Sequence, residues 1–221
     1  HDALPIFYLA ALTAVFAVSF FAFVAFDLYS QQRQTEQAML EEARTFAREM
    51  DAVWQFMDNS QSIINNSSSG GYEFKGLHCS VVGKSVGRLF SAGSDYRIRY
   101  TNFDPRSEQD IPDEFETKAL EAFNADRSVT EYYGVAPFDG EDRFRYLQAL
   151  EVDDSCLECH GEPVGELDIT DHAKEGWTLE SVGGAISIVI PLDQQQAAMR
   201  GNVIRDMAYF LLITVFIEIG R

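Results

Sequence analysis

Two cysteines two residues apart, with a histidine next in the chain, stand at Cys156-Leu157-Glu158-Cys159-His160. Three kinds of chemistry use such a pair of thiols. In covalent attachment of a c-type haem, both thiols meet the two vinyl groups of one porphyrin, and the adjoining imidazole gives the iron an axial nitrogen. A thioredoxin-type redox couple uses the same spacing, but at a helix N-terminus in a βαβ context that the flanking sequence lacks. A zinc site needs a second pair of ligands, and the remaining Cys79, His78 and His172 are not at zinc-like spacing. The motif is read as the attachment site of one haem c, with His160 as its iron ligand.

The chain has three cysteines, so Cys79 is left over. It is the leading candidate for the second axial position, where a thiolate would push electron density onto iron. His78 is the neighbour that could do the same with a nitrogen. The bland alternative is a small buried hydrophobe. Propionates need cations or polar donors, and Arg97, Arg99 and Arg106 are the candidates, although each could equally serve as a solvated face or an ion pair. No Ser/His/Asp arrangement, phosphate loop or carboxylate constellation accompanies them, so an enzyme is not expected.

The elements that hold these residues are framed by apolar ends. Residues 5–26 are apolar except for Thr13 and Ser19, a run of 22, and a helix needs roughly 20 to cross a bilayer core. A cleaved signal peptide would show a basic start, a shorter core and a small-residue cleavage site, none of which is visible. A second apolar run of 13, residues 207–219, ends the sequence and reads as a span cut short. The alternative is a helix packed on the first span or on a partner. The expected layout is a membrane helix at 1–29, a linker helix at 30–59, the haem domain at 60–192, and a helix at 193–221 leading into the second span. Covalent haem puts that domain on the outer face of the plasma membrane. The net charge is −18, a field that argues against nucleic acid and anionic headgroups as partners.

Along the linker, Met39, Ala43, Phe46, Met50, Val53 and Met57 recur at alternating steps of four and three. That is a heptad stripe, read either as a homodimer seam through Met39, Phe46, Met50, Val53 and Met57 or as a face lying on its own domain. Beyond it, a short helix is expected over 79–90 and a strand over 96–101. A helix follows from Pro112 with Asp110 as its cap, then strands over 129–135, 143–150 and 183–192. The order predicts an α+β domain around an antiparallel sheet.

Taken together, residues 79–90, Tyr96-Arg97-Ile98-Arg99, Asn102-Phe103-Asp104-Pro105-Arg106, Ile111-Pro112-Asp113-Glu114-Phe115-Glu116, the cysteine motif with Gly161, and residues 183–191 resemble a known pattern. It is that of the single-c-haem, PAS-like sensor domains held outside the membrane in bacterial signalling proteins. The resemblance spans roughly residues 54–192. It implies a PAS-like fold, His160 as proximal ligand and Cys79 as distal ligand. Ser107-Glu108-Gln109-Asp110 departs from the family's Asn-Pro-containing run. Two functions follow as expectations. In the first, the haem senses a diatomic gas or a redox change and signals through the linker helix to an output module beyond Arg221. In the second, the chain is a membrane-bound electron-transfer cytochrome, or an accessory subunit of a respiratory or photosynthetic complex.

Overall fold

The computed structural model describes residues 3–219; residues 1–2 and 220–221, the outer ends of the two expected terminal segments, lie outside the described residues. The chain divides into two compact units, the larger being Met39–Pro191. Its sheet has the order β1-β4-β3-β2, from β1 (Arg97–Thr101), β2 (Glu131–Phe138), β3 (Glu141–Glu151) and β4 (Val182–Pro191), all antiparallel. β2 and β3 join through Asp139-Gly140, both at positive φ (52° and 84°), as a two-residue hairpin turn of matching twist requires. The expected α+β domain around an antiparallel sheet is what forms.

Strand alternation gives the sheet two unlike faces. On one, Leu147 and Ala185 meet Ala119, Leu120 and Phe123 of α4 (Glu114–Ala125) in an apolar cluster. Each large side chain buried there contributes roughly 1.5–3 kcal/mol. α4 begins at a capping box: Asp113 accepts from the Glu116 N–H at 2.9 Å, and Glu116 accepts from the Asp113 N–H at 3.0 Å. Asp113 is therefore the cap. Asp110, expected in that role, ends a one-turn 3₁₀ helix (Glu108–Asp110) and pairs with Lys84 at 2.5 Å. Pro112 intervenes and holds Ile111 extended, so the helix starts only after it.

The other face, with Ile98, Tyr100, Tyr146 and Ile188 buried, meets the domain's share of α1 (Ala3–Asn59) and α3 (Cys79–Ala92). A four-residue α2 (Gln61–Ile64) lies between those two in sequence. Trp54 of α1 packs on Tyr100 at 5.5 Å between ring centroids, and Phe46 on Phe90 and Tyr96 at 5.3 and 5.4 Å. α3 approaches closely because it presents Gly83 and Gly87: a Cβ would lie 2.9 Å from the Tyr100 hydroxyl and 3.0 Å from the Ile98 carbonyl oxygen, respectively. Met39, Ala43 and Met50 are buried within this unit. Part of the heptad stripe thus packs inside the chain, while Val53 and Met57 are only partly buried.

At the start of β4, Gly184 has φ +121°, and a Cβ there would lie 2.4 Å from the Thr101 carbonyl oxygen. Gly184→Ala is expected to cost about 1–3 kcal/mol from the backbone conformation alone, with the clash added. A urea midpoint equal to that of the unsubstituted protein would contradict this reading.

The smaller unit joins the chain up to Ala38 with the segment from Leu192 onward. Within it, Phe16 and Phe20 of α1 stack on Phe210 of α6 (Asp193–Ile219) at 5.3 and 3.7 Å. Gln31 accepts from Asn202 at 2.8 Å. Among the described residues, α1 is the one helix long and apolar enough to cross a membrane. A transmembrane role for α6 is not established by these residues.

Candidate functional site

The Cys-x-x-Cys-His run folds as α5 (Asp154–His160), entered from the end of β3, where the register with β4 is irregular between Ala149 and Glu151. Asp153 caps it: the carboxylate accepts from the Cys156 N–H at 3.1 Å and from the Ser155 hydroxyl at 2.7 Å. Cys159 follows Cys156 by three positions on the helix, so their thiols share one face. At Gly161 the helix stops, and a Cβ there would lie 2.6 Å from the Leu157 carbonyl oxygen.

Behind α5, residues 165–174 close a small loop through the Leu167–Ala173 bridge. The residues after that loop return two side chains to the histidine, and Arg106 joins them from the chain after β1. Glu175 Oε2 lies 2.8 Å from His160 Nδ1. The Trp177 ring stacks on the imidazole at 4.1 Å and 10°, while the Trp177 N–H donates to the His160 carbonyl at 2.8 Å. Arg106 binds the Glu175 carboxylate twice, at 2.6 and 2.9 Å, Asp168 at 2.7 Å and the Cys159 carbonyl at 3.0 Å. A carboxylate only accepts, so Nδ1 carries the proton and Nε2 keeps its lone pair. Nε2 has no hydrogen-bond partner among the described residues.

A cavity of about 1670 Å³ opens here, lined by Cys79, Cys156, Cys159 and His160 together with His78, Trp54, Tyr100 and Trp177. Small-molecule pockets usually hold roughly 300–1,000 Å³; this one is larger. Residues 32–191 match the family model Tll0287-like (Tll0287). The chain belongs to the Tll0287-like family. The crystal structure of the cyanobacterial heme-protein Tll0287 resembles it with a TM-score of 0.51 at 18% identity, covering 70% of this chain and 95% of that one. At that identity the likeness is one of fold. No curated protein matches the chain.

In this Tll0287-like domain, burial controls the electrostatics of the cavity wall. It pushes the Cys79 thiol up to about 12 and Cys156 up to about 11, and raises Cys159 as well. All three are therefore thiols at neutral pH. Burial also lowers His78, helped by the Lys84 charge, and lowers His160 against the opposing pull of Glu175. Both imidazoles are neutral at pH 7. Asp168 is held below the usual carboxylate range because hydrogen bonds from Thr170 and Arg106 outweigh its burial. Among the described residues no three His, Cys, Asp or Glu side chains gather as a bare-ion site.

Of the residues singled out in the sequence, Cys79, His78, Cys156, Cys159, His160 and Arg106 line this Tll0287-like cavity. Arg97 and Arg99 do not. Arg97 donates to the carbonyls of Ser91, Ser94 and Tyr96 at the end of α3. Arg99 donates to the Ile111 carbonyl at 2.6 Å and lies 3.6 Å from Glu116, on the α4 face. The strand's two-residue period puts Arg99 on the face opposite Tyr100, away from the cavity. Arg106 is at the cavity, but as the clamp on Glu175 and Asp168. The lining cations missed in the sequence are Lys84, Arg44, Arg48 and Arg88. Arg44 is paired with Glu131 at 2.7 Å and Lys84 with Asp110. Arg48 and Arg88 are exposed; Arg48 acts on Glu131 only through its charge, without a close ion pair.

Proposed function

We propose that this domain carries one covalent haem c and acts as the redox- or gas-sensing part of a membrane-anchored receptor. One observation carries the reading: Cys156, Cys159, His160 and Cys79 share the wall of one large cavity, with His160 Nδ1 engaged and Nε2 unengaged. The residues fit the group. Two thiols on one helical face suit thioether bonds, and a neutral imidazole offers a lone pair. The exposed Arg48 and Arg88 are the lining cations available to propionates, replacing Arg97 and Arg99 in that role. That a structural relative is a heme-protein supports the same assignment. When bound, haem iron supplies one-electron redox chemistry and a coordination position that can exchange.

The chain's own residues then do the rest. Cys156 and Cys159 would hold the macrocycle through thioethers, His160 would supply one iron ligand, and Cys79 at the first turn of α3 is the group proposed as a second. A thiol whose ordinary state here is protonated gives up its proton only to a compensating positive charge. A change at Cys79 therefore acts on α3 and on Trp54, Asp51 and Asp58 of α1, which line the same cavity. α1 is the helix that also carries the apolar segment, here read as a membrane anchor with the haem domain outside the cytoplasm. This gives the two-state element that sensing requires.

The experiment is spectroscopic, on the haem-loaded full chain. Cys79→Ala is expected to abolish a thiolate-ligated low-spin EPR signal that His78→Ala leaves intact. The opposite pattern would transfer the ligand role to His78. Adding CO or NO to the reduced protein is expected to shift the Soret band. An unshifted band would remove gas sensing and favour the electron-transfer cytochrome.

A further inference from the structure

Resting on the reading of His160 as an iron ligand, we propose that Glu175 is its positioning residue, fixing the Nδ1–H tautomer and setting how strongly Nε2 donates to the metal. Three observations converge on it. The Nδ1 to Oε2 distance of 2.8 Å is that of a charge-assisted hydrogen bond. Both Glu175 oxygens are gripped by Arg106, whose other contacts are Asp168 and the Cys159 carbonyl. The imidazole cannot rotate away, because Trp177 stacks on it 10° from parallel while bonding its carbonyl.

A hydrogen bond from a ligating histidine to a carboxylate raises the basicity of the ligand. The imidazole gains imidazolate character and favours the more oxidised metal. Arg106 acts in the opposite sense, drawing charge from the carboxylate before the imidazole can take it. Since Arg106 also holds the carbonyl of Cys159, the attachment helix and the carboxylate are kept in one frame. Haem potential and axial geometry are thereby set from loop residues far from the motif in sequence.

The test uses the haem-loaded full chain and reads midpoint potential, EPR spectrum and covalent haem content. Glu175→Gln keeps the shape but is a weaker acceptor, and is expected to raise the potential and shift the EPR g-values with haem content unchanged. Glu175→Asp is expected to recover part of the change. Glu158→Gln removes a carboxylate that lines the cavity without touching His160, and so measures the effect of charge alone. Glu175→Gln shifts no larger than those of Glu158→Gln would overturn the proposal. Where Glu175→Gln fails to mature, Arg106→Lys replaces it: loss of the two-pronged grip should broaden the EPR lines through a spread of imidazole orientations, and unbroadened lines overturn the proposal. A His160→Ala variant whose spectrum matches the parent's would overturn the ligand reading itself, and this one with it.

Discussion

The double variant Cys156→Ser/Cys159→Ser, produced alongside haem-attachment machinery, is expected to lose all haem that survives denaturation. Thioether bonds are the only haem contacts that unfolding leaves intact, so haem staining after denaturing electrophoresis reads them directly. Each single variant keeps one sulfur and should retain part of the signal. His160→Ala removes the proposed iron ligand but neither thiol, so its expected loss is in the spectrum more than in the stain. The loss in the double variant is complete because both thiols of the seven-residue helix are gone and Cys79 is the only other cysteine in the chain. Undiminished staining in the double variant would contradict the attachment assignment.

Glu116→Gln is expected to destabilise the domain by about 3–5 kcal/mol, the usual consequence of breaking a buried ion pair by removing one partner. Glu116 is 0% exposed and Arg145 1% exposed. The guanidinium lies between the rings of Phe115 and Phe138, 4.8 and 5.2 Å from their centroids. Its carboxylate neighbours are Asp113 at 2.7 Å and Glu116 at 3.5 Å, and Arg99 also approaches Glu116. Neutralising Glu116 leaves Arg145 with the part-exposed Asp113 as its one close carboxylate and takes the carboxylate charge away from Arg99. The additional change Arg145→Met should return part of the loss, since the buried charge goes with it. Urea unfolding checks both, and a Glu116→Gln midpoint within error of the parent would contradict the account. Acid should act on the same network. Burial pushes the Asp113 carboxyl up, but Arg145 and backbone N–H groups outweigh this and hold it below its ordinary value. Its contribution is therefore present near neutrality and is lost as the pH falls through that lowered value.

What the sequence made legible follows from how locally each feature is encoded. The short helix expected over 79–90 is α3, and the strand expected over 96–101 is β1, because apolar periodicity speaks within a dozen residues. The cap expected at Asp110 lies three residues before the actual one, although Asp113-x-x-Glu116 is itself a capping-box signature. Alternation along β1 defines two faces but not which one meets the cavity, so it cannot separate the propionate reading of Arg97 and Arg99 from the ion-pair and surface readings. The heptad stripe left its partner undecided because a helix buries the same positions against a sheet or a second helix. Glu175, Asp168 and Trp177 carried no signal at all. Their contacts with Arg106 and His160 come from a loop without periodicity, across 69 and 62 residues in the case of Arg106. The part of the site visible in advance was the part whose chemistry demands fixed spacing; the part that positions it was not.

The most direct measurement is the intact mass of the full chain after denaturation, followed by the mass of the peptide containing residues 156–160. The account predicts a chain heavier by one haem, with the whole addition on that peptide and none on the peptide containing Cys79. A chain produced with functioning haem-attachment machinery that shows the mass of polypeptide alone, or whose haem is released on denaturation, would contradict it.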